Sequence, residues 1–169
     1  FTQSDELAEK INSIRLHGKG SQKYDNIRIG VNSRLDTIQA AILIEKLKLF
    51  PDELELRNLV AERYSSALKN VCDVPMVRPD CLSSWAQYTI KFQNRDKVQE
   101  ELKNFGIPSV VYYPIPLAAQ KGYKDYPSVS LQTTISQSHS NSVLSIPMHP
   151  YLKKETQDMI IDAITSIAG

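Results

Sequence analysis

The sequence has almost no excess charge of either sign. Its 169 residues include 20 lysines and arginines and 19 aspartates and glutamates, which gives a formal net charge of +1. Proteins that bind nucleic acid need clustered basic residues in excess, and so does a polybasic membrane patch. We therefore expect neither a nucleic-acid partner nor a membrane partner.

Long hydrophobic runs are also missing. The longest mainly apolar stretch, Ile38 to Ile44, contains Gln39 and is far shorter than the roughly 20 residues of a membrane-spanning helix. The opening residues, Phe1 to Glu6, have neither the basic start nor the apolar segment of a secretory signal. We expect a cytoplasmic protein. Phe1 in place of Met predicts that the chain begins within a longer reading frame or was trimmed to this boundary.

Cysteine is scarce as well. Cys72 and Cys81 stand nine positions apart with no Cys-x-x-Cys spacing and no paired histidines, so no metal site is predicted. Nucleotide-binding glycine patterns are absent too, because the stretch His17 to Ser21 lacks the upstream glycine and the preceding strand of a P-loop. The three histidines form no recognisable triad, and each has a structural interpretation.

The most informative stretch present runs from Tyr24 to Leu49, where a polar segment leads into an apolar helix. Gly30 allows a close backbone approach, Asn32 offers an uncharged amide, and Arg34 offers a cationic fork for carboxylate or phosphate. Ser33 or Asp36 is a candidate cap for the helix that follows, whose N-terminus favours an anion. Two interpretations remain open at this point: a phosphate-binding segment or a capped amphipathic helix.

Hydrophobic periodicity predicts mainly helices in the N-terminal part of the chain and a strand–helix–strand unit in the part that follows. Pro51 is expected to separate two long helices, and a proline-stiffened segment is expected at 145–150. We predict helices over about 5–17, 35–49, 52–69, 96–105, 136–143 and 154–167, and strands over 85–92 and 107–113.

Two adjacent phenols, Tyr112 and Tyr113, end the second predicted strand and precede the stiff segment Pro114 to Leu117. Side chains at the end of a strand that enters a rigid loop are placed to line a pocket. Packing in the core or at an interface is the alternative.

Four segments of the sequence are informative when they are taken together: Tyr24 to Asn26, Arg28 to Ala41, Tyr112 to Leu117 and Val143 to Leu152. In residue identity, order and spacing they resemble the DegT/StrS family of sugar aminotransferases. The resemblance extends over essentially the whole chain.

This resemblance implies an α/β fold that forms the C-terminal part of the pyridoxal-phosphate-dependent transferase architecture, the aspartate aminotransferase fold (fold type I). Residues 1–50 would be a helical remnant of the large domain, and residues 51–169 would be an interdomain helix and the small αβ domain. The family works as dimers with shared active sites. By resemblance, Asn32 reaches the phosphate of pyridoxal 5'-phosphate across the dimer interface, and Arg34 faces the sugar-nucleotide substrate. Tyr112 and Tyr113, from their position before the stiff segment, are predicted to bind the substrate as well.

The amino-acid sequences of these motifs are most similar to those of enzymes that aminate a UDP-linked 3-keto N-acetylglucosaminuronate. Those enzymes make sugars for surface polysaccharides and use glutamate as amino donor. Arg34 suits the uronate carboxylate because a guanidinium can pair with it through two hydrogen bonds. Other keto-sugar nucleotides stay open.

Two departures from the family pattern matter. The Schiff-base lysine of the family lies upstream of Phe1, and Lys10, Lys19 and Lys23 do not stand at its position, so no catalytic residue is assigned. Ala118-Ala119-Gln120 replaces a histidine-containing continuation, which puts an imidazole in that pocket in doubt. We expect the isolated chain to be inactive, as one half of a homodimeric or complemented enzyme. The alternatives are a truncated non-enzymatic homologue that binds a sugar nucleotide or a full-length aminotransferase, and a truncated gene product without activity.

Overall fold

The computed structural model describes residues 2–22, 24–123, 125–127 and 134–169. The chain divides into two compact units, Phe1–Leu49 and Phe50–Gly169. Lys23 and parts of the predicted loop before Val129 lie outside the described residues. Within those residues, no helix has both the length and the apolar character needed to cross a membrane.

The first unit begins with helix α1, Asp5–Arg15. The Ser4 hydroxyl accepts the Leu7 N–H at 3.4 Å and caps the helix, as the sequence predicts. Asp5 and Glu6 in the first turn and Arg15 in the last turn match the helix dipole. The chain then turns through Gly18, whose φ of +75° is a conformation that favours glycine.

The segment after α1 folds back along the end of that helix. The Val31 N–H donates to the Ile14 carbonyl at 2.8 Å, and the Ser33 N–H donates to the Arg15 carbonyl at 3.0 Å. Gly30 is required at this crossing, because a Cβ there would lie 2.1 Å from the Gly18 nitrogen. Gly30 therefore allows a close approach to the backbone of residues 14–18 of the same chain.

Helix α2 runs without a break from Thr37 to Leu68. The prediction that Pro51 separates two helices is wrong, since Pro51 lies inside α2. Proline removes one backbone donor, the one that would bond the carbonyl four residues earlier. Good helix formers such as Leu, Lys and Glu flank Pro51 on both sides, so the remaining hydrogen bonds maintain the helix.

The second unit contains the sheet. Strands β1, Tyr88–Lys91, and β2, Val143–Ile146, pair antiparallel with Tyr88 opposite Ile146. Helix α3, Arg95–Asn104, follows β1, and Gly106 ends it with φ +72°, as predicted. The other elements are a 3₁₀ turn and two helices: Leu117–Ala119, α4 at Thr134–Ser142 and α5 at Lys154–Ala168.

Two predictions about strands need correction. The predicted strand 107–113 is only a bridge, in which Val110 and Ser145 exchange backbone hydrogen bonds of 3.0 and 2.8 Å. Pro108 has no N–H and cannot extend the pairing. Conversely, part of the predicted proline-stiffened segment 145–150 belongs to β2, which is buried along its whole length. β2 is therefore central, with β1 on one edge and Val110 on the other.

One apolar core holds the second unit together. It joins the C-terminal part of α2 to both strands, α3 and α5, and its fully buried members include Tyr64, Leu68, Tyr88, Ile90, Leu102, Leu144, Ile160 and Ile164. Buried polar groups within it are hydrogen-bonded. The Gln157 amide donates to the Val60 carbonyl at 2.8 Å and accepts from Arg63 at 3.1 Å, which ties α5 to α2.

Candidate functional site

The structure brings Asn32 and Arg34 together in the first unit. The Arg34 Nε donates to the Asn32 Oδ1 at 2.9 Å, and both side chains are exposed. The bond uses the acceptor side of the amide, so the amide presents its N–H₂ donors outward. The pair thus offers an amide donor and a guanidinium side by side.

Backbone pairing positions this group. Leu16 and Asn32 form a bridge at the end of α1, and the Arg15 Nε donates to the Ser33 carbonyl at 3.3 Å. The guanidinium of Arg15, from α1, therefore contacts the segment that carries Asn32 and Arg34. Amide and guanidinium donors are the groups that proteins use for phosphate and carboxylate, so these residues fit the phosphate of a pyridoxal cofactor or an acidic substrate.

Asp36 is the residue that immediately precedes α2. Its carbonyl accepts the Ala40 N–H at 2.8 Å, the first hydrogen bond of that helix. The boundary agrees with the expected helix start near Leu35. It places Arg34 three positions before the first helical residue, near the positive end of the helix dipole.

Tyr112 and Tyr113 are brought together in the second unit. Their ring centroids lie 5.4 Å apart in an edge-on arrangement, and the peptide bond between them is cis. Both line a cavity of about 630 Å³ together with the 3₁₀ turn that begins at Leu117. Tyr113 is 69% exposed and Tyr112 is 39% exposed, so neither phenol belongs to the core.

His139 lines the same cavity, although no motif in the sequence predicts it there. Ser136, His139 and Ser140 contribute to the lining from one face of α4, at the i, i+3 and i+4 spacing of a helix, and Val143 contributes from the start of β2. Ala118 from the 3₁₀ turn also contributes. The cavity lining therefore contains an imidazole, which comes from α4 and not from the 118–120 segment. The only sequence signal was this spacing.

Burial raises the pKa of the Tyr88 phenol to about 12, partly offset by its hydrogen bond with Ser65. Burial also raises the pKa of the Cys72 thiol to about 11 and that of the Tyr64 phenol strongly. These groups belong to the core of the second unit or pack against it. Their raised pKa values therefore reflect burial in the core and do not mark a functional site. No cluster of three or more potential metal ligands occurs among the described residues.

Several known proteins with similar sequences or structures are named as aminotransferases. The model of the DegT/DnrJ/EryC1/StrS aminotransferase family matches residues 1–165. A UDP-2-acetamido-2-deoxy-3-oxo-D-glucuronate aminotransferase from Pseudomonas aeruginosa is 42% identical over 98% of this chain and 45% of its own length.

Solved structures agree. A DegT DnrJ EryC1 StrS aminotransferase from Brucella abortus superposes with a TM-score of 0.92 and 48% identity, over 100% of this chain and 45% of its own. NtdA from Bacillus subtilis, solved with bound PMP, has a TM-score of 0.80 and 28% identity, over 99% of this chain and 40% of its own.

These matches define the class as pyridoxal-phosphate-dependent sugar aminotransferases of fold type I. The chain belongs to the DegT/DnrJ/EryC1/StrS aminotransferase family. The predicted family and fold class are therefore confirmed, and so is the pyridoxal phosphate dependence of that family. The chain spans a little under half the length of the relatives it matches.

Proposed function

We propose that this chain is the C-terminal half of an aminotransferase that moves an amino group from glutamate to a keto-sugar nucleotide. The proposed acceptor is a UDP-linked 3-keto N-acetylglucosaminuronate used for surface polysaccharides. The observation that carries the proposal is the 42% identity, over 98% of the chain, to the Pseudomonas aeruginosa enzyme named for that substrate.

The proposed domain assignment rests on the resemblance of the sequence to the family. Residues 1–50 are proposed to be a remnant of the large cofactor-binding domain, and residues 51–169 the interdomain helix and small domain. The two compact units, which divide after Leu49, support this assignment.

Asn32 and Arg34 have separate proposed roles. The amide of Asn32 donates to the cofactor phosphate, because its acceptor oxygen is already bonded to Arg34. The Arg34 guanidinium retains N–H groups for a bidentate pair with the uronate carboxylate. Tyr112 and Tyr113 line the substrate pocket from the second unit. When bound, pyridoxal phosphate supplies an electron sink for the carbon that carries the amine.

The chain alone is proposed to be inactive. Transamination needs a lysine amine to hold the cofactor and to move the proton. Of the described lysines near the first group, Lys10 lies on α1 and Lys19 on the turn after it, and neither matches the family's lysine position. We propose that a preceding half-chain or a partner subunit in a homodimer supplies that amine, and that the shared site takes Asn32 from this chain.

The test is a complementation assay. The purified 169-residue chain, given pyridoxal phosphate, glutamate and the UDP-3-keto sugar, is expected to form no 2-oxoglutarate. Fusion to the preceding half of the Pseudomonas aeruginosa enzyme is expected to restore amino transfer. Asn32→Ala in the fusion should weaken cofactor binding, and Arg34→Ala should raise the KM for the sugar nucleotide. Amino transfer by the unfused chain would overturn the proposal of inactivity.

A non-enzymatic homologue is the second candidate. The exposed apolar side chains of the first unit, such as Ile38 at 76% and Leu47 at 66%, favour a role in binding a full-length aminotransferase. Co-purification with such an enzyme, combined with an inactive fusion, would favour this function.

A further inference from the structure

The cavity beside Tyr112 and Tyr113 has an uncharged lining. The chain segment from Tyr112 to Gln120 forms one wall, and one face of α4 together with Val143 at the start of β2 forms the other. Among the described residues that line the cavity, none is Lys, Arg, Asp or Glu. The polar groups are the two phenols, the Gln120 amide, two serine hydroxyls and the His139 imidazole.

This combination suits a neutral ring. Aromatic side chains pack against the faces of rings, while phenol, amide and imidazole groups exchange hydrogen bonds with hydroxyls and amides. A diphosphate or a carboxylate would find no cationic partner in the lining except a protonated imidazole. The cavity volume of about 630 Å³ lies within the range of small-molecule sites.

His139 is the side chain on α4 best suited to contact such a ring. It is exposed, whereas Ser140 is buried and its hydroxyl already donates to the Gln137 carbonyl at 2.8 Å. Imidazole has one nitrogen that donates and one that accepts in its neutral form, so it can serve either a hydroxyl or an amide.

We infer that His139 is a substrate-binding and specificity-determining residue, which holds a hydroxyl or amide group of a neutral ring packed against Tyr112 and Tyr113. This inference rests on the proposed function, because it takes the ring from a sugar nucleotide. The ring is either the uracil base or the N-acetylated sugar, and both present the same chemistry to the cavity.

The test is a titration of the 169-residue chain followed by the imidazole C–H signals of its histidines. Uridine, N-acetylglucosamine and UDP-N-acetylglucosamine are the probes, so that the first two distinguish the base from the sugar. His149, exposed in the same unit and absent from the lining, is the internal reference. We expect the His139 signals to move with one of the two ring probes and with the sugar nucleotide.

Substitution gives the quantitative result. His139→Ala should weaken binding of the responding probe about three- to tenfold, as for the loss of one hydrogen bond. His139→Gln should recover part of that loss because it keeps a donor and an acceptor. Ser138→Ala, on the same helix but outside the cavity lining, should bind like the unaltered chain.

Two results would overturn the inference. If UDP-N-acetylglucosamine binds without moving the His139 signals, and His139→Ala binds it equally, the ring lies elsewhere while the proposed function stands. If none of the probes shifts any signal of the cavity residues, the cavity holds no neutral ring, and the complementation assay judges the proposed function separately.

Discussion

The two units of the chain are stabilised in different ways. In the second unit, apolar side chains from α2, both strands, α3 and α5 form a closed core, and many of them are fully buried. In the first unit, the only buried residues among those described are Ser13 and Gly18. Its apolar residues are exposed or only partly covered, and backbone hydrogen bonds between α1 and the returning segment maintain its form.

This difference shows which unit can fold alone. Burial of apolar surface is the main driving force of folding, and the second unit has achieved it within its own sequence. The first unit has the helix and the turn but not the covering layer. Many exposed apolar side chains in a small unit are typical of a surface that a partner covers. The comparison therefore predicts a self-sufficient second unit and a first unit that depends on a partner.

The largest effect should come from a cavity in the closed core. Leu144→Ala, at a fully buried position of β2, should lower the free energy of unfolding by about 2–5 kcal/mol. Leu47→Ala, the same change at a position 66% exposed, should alter it by less than about 0.5 kcal/mol. Urea unfolding followed by far-UV circular dichroism, which reports the helices of both units, measures both. Equal losses would show that Leu47 is covered as well as Leu144.

A backbone change should disrupt the first unit without affecting the second. Gly30→Ala would place a Cβ 2.1 Å from the Gly18 nitrogen, so the returning segment must move and its hydrogen bonds must weaken. We expect faster hydrogen exchange at the Val31 and Ser33 amides and unchanged exchange in β1. Gly122→Ala is the matched control, because a Cβ there meets nothing within 4 Å. Normal exchange at Val31 in Gly30→Ala would contradict the tight crossing.

The pH dependence of the free energy of unfolding tests the burial of the Tyr88 phenol. Burial raises the pKa of Tyr88 to about 12 from an ordinary value of 10.0, so the folded state favours the protonated phenol. Its contribution to stability is complete below pH 10 and is lost as pH rises towards 12. Tyr88→Phe should cost about 1 kcal/mol at neutral pH, since the Ser65 hydrogen bond is lost, but should reduce the decline above pH 10.

The smallest effect on stability, with a clear effect on association, is expected on the exposed face. Ile38→Gln with Ile42→Gln replaces two apolar side chains that are 76% and 57% exposed. Stability should change by less than about 0.5 kcal/mol per site, while self-association at high concentration should fall. Sedimentation velocity measures the association. If the unaltered chain is monomeric at all concentrations, these apolar residues do not form a surface for association.

Local sequence signals predicted much of the fold. The Ser4 cap of α1, the Gly106 end of α3 and the amphipathic pattern of α5 all depend on residues within a few positions of one another. The bridge at Val110 was not predictable in the same way, because it depends on pairing with Ser145, a distant residue. Pro51 misled the prediction because local propensity on both sides outweighed the loss of one hydrogen bond.

The candidate site shows the same limit. Asn32 and Arg34 are two positions apart, so their pairing was accessible from the sequence. The same is true of adjacent Tyr112 and Tyr113. His139 was not accessible, because only the three-dimensional placement of α4 and the 112–120 segment around one cavity brings its imidazole there.

Hydrogen exchange along the whole chain tests the central claim most directly. For the 169-residue chain alone in its monomeric state, we expect strong protection at Tyr88–Lys91 and in α5, and weak protection over residues 37–49. Addition of the preceding half of the Pseudomonas aeruginosa enzyme should raise protection over 37–49 and leave the second unit unchanged. Protection over 37–49 in the monomer alone that equals that of β1 would contradict the account.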